Sequence, residues 1–144
     1  MKIFDFRFSN HGKGALSIFF AGALFLIDQS TRYRFGHSEY AYCNAAGPLG
    51  VSISGSAVLA TSLVVLLVFG YVAWIYRARI GMVAPVMILA GGVSNVVDRA
   101  LFGCVRDYQV FGWFPAFNLG DVYLSIGAVM LFAWLYLAEK KEKG

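Results

Sequence analysis

Residues 91–121 read GGVSNVVDRALFGCVRDYQVFGWFPAFNLGD, and they gather Asp98, Asp107 and Asp121 with Asn95, Asn118, Arg99 and Arg106 in a chain that is otherwise apolar. Of the 144 residues, 59% are hydrophobic and only 14% are Asp, Glu, Lys or Arg, against roughly a quarter charged in soluble domains. Such a chain reads as an integral membrane protein of one domain, residues 1–144, with room for about four spans of about 20 residues. Ionisable groups beside membrane-length segments are costly to keep, so function is expected in the 91–121 cluster.

Working outward, Lys2, Arg7 and Lys13 precede an apolar run at 14–27, a pattern that imitates a secretory signal peptide. No small-x-small cleavage site follows, and the run ends in Asp28-Gln29. An uncleaved first span over about 14–31 is therefore expected, with Asp28 facing other helices rather than lipid. Residues 32–56 mix Arg32, Arg34, His37, Glu39 and Asn44 with several glycines and Pro48. They read as an extramembrane loop that can carry short strands, with His37 and Glu39 solvated. Spans at 57–76 and 80–97 are joined by a short basic link around Arg77 and Arg79, which makes them an antiparallel hairpin. A polar connection at 98–121 leads to a fourth span at 122–138 and a basic tail.

The expected fold is thus an all-α, four-helix transmembrane bundle with a small extramembrane element. Four spans put both termini on one side, together with Lys2, Arg7, Lys13, Arg77, Arg79, Lys140, Lys141 and Lys143; Arg32, Arg34, Arg99 and Arg106 fall on the other. The basic excess marks the cytoplasmic side, which places the 98–121 cluster at the outer face. The net charge of +4 is explained by this topology and not by nucleic-acid binding, because the basic residues form no polar face. Cys43 and Cys104 make no disulfide framework and lack metal-ligand spacing. Sequence gives no bridge geometry, so two free thiols are the expected state. A bridge between the outer loop and the 98–121 connection is the alternative.

On a helix, Asn95 shares a face with Asp98 and Arg99, and Gly91 and Gly92 fall on the same face. Asn118, Asp121 and Ser125 follow at i, i+3 and i+7, so two polar stripes meet at the outer boundary. Two close carboxylates cannot both ionise easily, and such a pair can activate a water for attack on an amide while protonating the leaving nitrogen. The pair titrates as a unit. Other chemistries are poorly supplied: no serine has a nucleophile-elbow setting, His11 and His37 lie on opposite sides, and there is no phosphate-binding glycine loop.

These residues carry a resemblance. GGVSNVVDR, then GCVRDY and FPAFNLGD, resemble the signature of the lipoprotein signal peptidases, or signal peptidase II family. Membership would imply a four-span bacterial inner-membrane aspartyl protease that cuts prolipoproteins just before a diacylglyceryl-modified cysteine. It would also imply catalytic Asp107 and Asp121, with Asn95, Asp98, Arg99 and Asn118 holding the dyad and the substrate. Asp28-Gln-Ser-Thr-Arg32 resembles the family's D-Q-x-x-K motif with arginine for lysine, and Asn44 matches the asparagine that opens its N-x-G-x-A-F motif. The chain departs from the pattern at Asn44-Ala-Ala-Gly47-Pro-Leu-Gly50, which lacks the phenylalanine, and in a shorter connection between Asp107 and Asp121.

Blander readings stand beside these. Asp107 and Asp121 could be structural carboxylates paired with Arg99 and Arg106, and Asp98 next to Arg99 reads as a brace. Asp28 and Arg32 are either a helix-end ion pair or a lipid or substrate contact. Trp113 and Phe114 read as interfacial anchors in preference to a lid. No cofactor or metal is implied; the expected partners are a diacylglyceryl-modified prolipoprotein and membrane lipids. The rival reading is a non-catalytic homologue that binds lipidated precursors or assists another membrane complex. A small transporter is disfavoured because the polar groups lie at one boundary instead of the midplane.

Overall fold

An apolar run away from water must satisfy its own backbone groups, which favours helices. The computed structural model describes residues 10–36, 41–46 and 55–142 and contains four helices long and apolar enough to cross a bilayer. Helix α1 spans Asn10–Phe35, α2 Gly55–Ile80, α3 Val83–Phe102 and α4 Leu119–Glu142. The four-span membrane bundle expected from hydropathy is the fold observed.

The helices overrun the expected spans where polar residues are buried instead of solvated. α1 continues past residue 31 to Phe35, carrying Arg32 with its side chain fully inside. α3 continues to Phe102 and keeps Asp98 and Arg99 helical. The link between α2 and α3 is Gly81-Met82, since α2 runs through Arg77 and Arg79. Gly81 adopts φ 77° and its N–H bonds the Arg77 carbonyl at 3.0 Å, ending α2. Gly103 does the same for α3, with φ 74° and its N–H on the Arg99 carbonyl at 3.0 Å. The chain there turns from α3 into a strand.

α3 is the central helix. Half of its span is buried, against 6–17% for the other three, and it packs on all of them. Small residues permit this: Ala84, Ala90, Gly91, Gly92 and Ser94 are all buried. A Cβ at Gly91 would collide with the Gly120 carbonyl oxygen and meet the Leu124 backbone nitrogen at 3.0 Å. One at Gly127 would sit 2.8 Å from Ile88 Cγ1. α3 and α4 therefore touch backbone to backbone, with a core of Ala73, Ile88 and Leu131 under Phe69, Val72, Leu124 and Leu135.

At the end of the bundle where α1 and α3 finish and α4 starts lie two small antiparallel sheets. Strand β1 (Tyr42–Asn44) pairs with β2 (Val105–Asp107), in the register Tyr42↔Asp107, Cys43↔Arg106 and Asn44↔Val105. Strands β3 (Gln109–Phe111) and β4 (Phe114–Phe117) form a hairpin. Among the described residues, strand structure thus comes mainly from the 98–121 connection. Of the expected loop element at 32–56, only β1 lies among the described strands, and His37 and Glu39 lie outside the described residues. The expectation of two free thiols is corrected: Cys43 and Cys104 form a disulfide, their Cα atoms 5.5 Å apart, across 61 residues of chain. The β1–β2 register brings them together, which spacing along the sequence could not reveal.

The α3–α4 seam gives a signed prediction. Gly91→Ala gains about 1 kcal/mol of helix propensity but adds an overpacking cost of about 1–3 kcal/mol against backbone that cannot swing away. Its thermal unfolding midpoint in detergent should fall. Gly22→Ala on α1, with nothing within 4 Å of the new Cβ, should leave the midpoint unchanged or raise it.

Candidate active site

Asp28 and Arg32 stand one turn apart on α1, and neither is exposed. Arg32 has only donors to offer, and every one of its three side-chain nitrogens is used. Nε donates to Asp28 Oδ2 at 2.7 Å and Nη1 to Asp98 Oδ2 at 2.9 Å. Nη2 donates to Asn95 Oδ1 at 2.6 Å and to Asn118 Oδ1 at 2.7 Å. One side chain from α1 thereby grips α3 twice and the start of α4 once.

The grip on the two asparagines fixes which way their amides face. With both carbonyl oxygens turned to the guanidinium, both NH2 groups turn outward to carboxylates. Asn95 Nδ2 donates to Asp121 Oδ1 at 2.7 Å, and Asn118 Nδ2 donates to Asp107 Oδ1 at 2.5 Å. Asn118 also caps α4. Its Oδ1 accepts the Asp121 N–H at 3.0 Å while Asp121 Oδ2 accepts the Asn118 N–H at 3.2 Å, the reciprocal pattern of a capping box. Asp121 therefore lies in the first turn of α4, at the positive end of the helix dipole. Asp107 is delivered by β2, and across the β1–β2 pair Asn44 Nδ2 donates to Asp107 Oδ2 at 3.1 Å.

Behind this front stands an ionic brace. Asp98, fully buried, accepts from Arg32 and from Arg106, whose backbone N–H, Nε and Nη2 lie at 2.9, 3.1 and 2.8 Å. The guanidinium of Arg106 also lies over the Phe102 ring, 4.0 Å from its centroid. Asp28 accepts the Gly120 N–H at 2.9 Å and the Ser94 hydroxyl, and Gln29 donates to Ser94 Oγ at 2.8 Å. Arg32 and Arg106 against Asp28 and Asp98 make a neutral set, which removes most of the penalty of burying four charges. Gly120 is required here, because a Cβ would lie 2.9 Å from Arg32 Nη2.

All nine residues singled out from the sequence, Asp28, Arg32, Asn44, Asn95, Asp98, Arg99, Asp107, Asn118 and Asp121, therefore lie at this one boundary. Arg99 stands at its rim. Its Nη2 donates to the Ala46 carbonyl at 3.1 Å, and its buried Nε finds no acceptor among the described residues. Asp28 and Arg32 do form an ion pair near the end of α1, and it is buried as part of the internal framework. Arg106 pairs with Asp98 and not with Asp107 or Asp121. Sequence reasoning gave no role to Gln29, Ser94 or Tyr108. The Tyr108 hydroxyl is hydrogen-bonded to Thr31 Oγ1 at 2.8 Å and accepts the Leu119 N–H at 3.3 Å, tying the strand of Asp107 to α1 and α4.

Burial pushes the Asp107 carboxyl up to about 6, and the neighbouring negative charge of Asp121 pushes the same way; the hydrogen bonds from Asn118 and Asn44 oppose both. Asp107 is 1% exposed, while Asp121 is partly exposed, so water meets the pair from the Asp121 side. Two carboxylates sharing one asparagine, with Asp107 able to take up a proton near pH 6, can pass a proton from water to a leaving group.

Fold and site together define a four-span membrane protein with a braced carboxylate pair at one boundary. The family profile described as Signal peptidase (SPase) II matches residues 20–137, and the chain belongs to that family. The lipoprotein signal peptidase of Ectopseudomonas mendocina (strain ymp) is 35% identical over 81 residues, 50% of this chain and 48% of that protein. That of Chlamydia trachomatis serovar D is 42% identical over 65 residues, 42% of this chain and 39% of its own length. The chain thus spans about half or less of the length of the curated relatives it matches. A solved bacterial membrane enzyme shares the fold, with a TM-score of 0.68 at 22% identity over 90% of this chain and 92% of that one.

The shift at Asp107 has a consequence for stability. A carboxyl raised in the folded state contributes stability that is fully present below its ordinary pKa of 3.8 and is lost as pH rises through about 6. Asp107→Asn never ionises. Its unfolding midpoint should gain on that of the wild type as pH rises from about 4 to about 6 and hold level above that, measured by thermal unfolding in detergent. A difference independent of pH would mean that Asp107 does not titrate in this range.

Proposed function

We propose that this chain is an aspartyl endopeptidase that removes signal peptides from diacylglyceryl-modified prolipoproteins, cutting just before the lipidated cysteine at the outer boundary of a bacterial cytoplasmic membrane. The observation that carries the proposal is the joint hold of Asn118 on Asp107 and Asp121, with Asp107 pushed up to about 6. Such a pair holds one proton between two carboxylates. The ionised member takes a proton from water as the water oxygen bonds the scissile carbonyl carbon, and the protonated member stabilises the carbonyl oxygen. The C–N bond then breaks, the leaving nitrogen takes a proton from the pair, and the pair returns to its starting state. These steps need neither metal nor cofactor.

The remaining residues hold or present. Asp28, Arg32, Asn95, Asp98 and Asn118 fix the pair. Asn44 and Arg99, at the rim, meet an extended peptide backbone. The lipid tails stay in the bilayer beside the spans while water reaches the pair from outside. The basic side holding Arg77, Arg79 and Lys140 is cytoplasmic, which sets the site on the outer face.

The test is cleavage of a diacylglyceryl-modified prolipoprotein by purified protein in a bilayer. Asp107→Asn and Asp121→Asn should each lower the rate by about 10²–10⁴-fold while remaining folded. A folded wild-type protein that binds several precursors and cleaves none would put the non-catalytic, precursor-binding homologue in its place.

A further inference from the structure

The β3–β4 hairpin has no role in the site just described, yet it is spliced into it, between Asp107 on one side and Asn118 and Asp121 on the other. Residues 109–117 read QVFGWFPAF and contain no charge. Phe111, Phe114 and Phe117 pack into one cluster, with ring centroids 5.6 and 5.8 Å apart, which stiffens the hairpin. Trp113 at the turn is 93% exposed and, among the described residues, has the Phe114 ring as its aromatic neighbour.

Three observations say what surrounds it. Adjacent strand residues point to opposite faces, and Val110 and Phe111 are both more than half exposed. Both faces of the hairpin are therefore apolar, whereas a lid would set one face on protein and one in water. The spans also expose apolar surface near the ends that lead to the strands: Leu101 and Phe102 at the end of α3 are 70% and 52% exposed, and Tyr33 in the last turn of α1 is exposed. Finally, among the described residues no third strand pairs with β3 or β4, and unpaired edge N–H and C=O groups cannot enter hydrocarbon. Pro115 removes one of those donors, but the others still need water or headgroups.

We infer that the β3–β4 hairpin is a bilayer anchor that seats Trp113 and its neighbouring phenylalanines in the interfacial layer of the outer leaflet. The indole suits that layer, with an apolar body and one N–H donor. Because Asp107 and Asn118 flank the hairpin, its depth sets the height of the carboxylate pair relative to the lipid surface. The inference rests on the membrane spans and not on the peptidase activity.

The test uses the full chain in nanodiscs of phosphatidylethanolamine and phosphatidylglycerol whose acyl chains are brominated either near the glycerol or near the methyl end. The Trp113 signal is the part of the tryptophan emission lost in Trp113→Phe, a substitution at a side chain exposed enough to leave the fold intact. That part should be quenched by lipid brominated near the glycerol and little by lipid brominated near the methyl end or by aqueous iodide. Quenching by iodide alone would overturn the anchor in favour of a water-facing flap. Quenching by brominated lipid that begins only when a diacylglyceryl-modified peptide is added would overturn it too, and would assign the hairpin to the substrate.

Discussion

Arg32 brings a permanent charge into the bundle with none of its side chain exposed, and the arrangement of the outer boundary follows from that. An unpaired buried ion costs several kcal/mol. Here the charge is met by Asp28 on its own helix and Asp98 on α3, while Arg106 completes the neutral set from β2. The remaining donor, Nη2, has two amide oxygens to satisfy it, and this turns the NH2 groups of Asn95 and Asn118 toward Asp121 and Asp107. A guanidinium that cannot accept a hydrogen bond thus decides how two amides present themselves to two carboxylates. A lysine here would keep the charge, but its three donors sit on one nitrogen and could not meet all four of these oxygens at once.

Such a fork works only if three helices come close enough to share it. Gly91 and Gly127 allow α3 and α4 to touch along their backbones, and Gly120 leaves the space that Arg32 Nη2 occupies. The disulfide and the β1–β2 register perform the equivalent task outside the spans, holding Asn44 on the neighbouring strand within hydrogen-bonding reach of Asp107. The carboxylate pair is therefore positioned twice: Asp121 by a helix cap and Asp107 by a strand. Tyr108 and Asn118 join the two supports.

Much of this was legible in the sequence because hydropathy and spacing are local. Four apolar runs gave the spans, and Asn118 with Asp121 at i, i+3 is the signature of the capping box that the structure contains. Charge ordinarily ends a span, which sets Arg32 in a loop by sequence alone; its burial depends on partners 63 to 86 residues away as well as on Asp28 one turn back. Strands β2, β3 and β4 are three or four residues long, too short for an alternating pattern to stand out. Arg106 was weighed as a partner for Asp107 or Asp121, since sequence proximity does not reveal that its side chain turns back to Asp98. The Cys43–Cys104 bridge was hidden for the same reason: its geometry belongs to a strand pairing across 61 residues.

The orientation of the two asparagine amides is the point on which the site depends, and it can be observed without altering any residue. Side-chain amide resonances of Asn95 and Asn118 would be followed by nitrogen–proton NMR through the Asp107 titration near pH 6. With both NH2 groups on the carboxylates, the Asn118 Nδ2 protons should shift with that titration and exchange slowly with water, and the Asn95 protons should exchange slowly as well. Amide protons that exchange freely and ignore the titration would mean that the amides face the other way, and that Arg32 does not organise the pair.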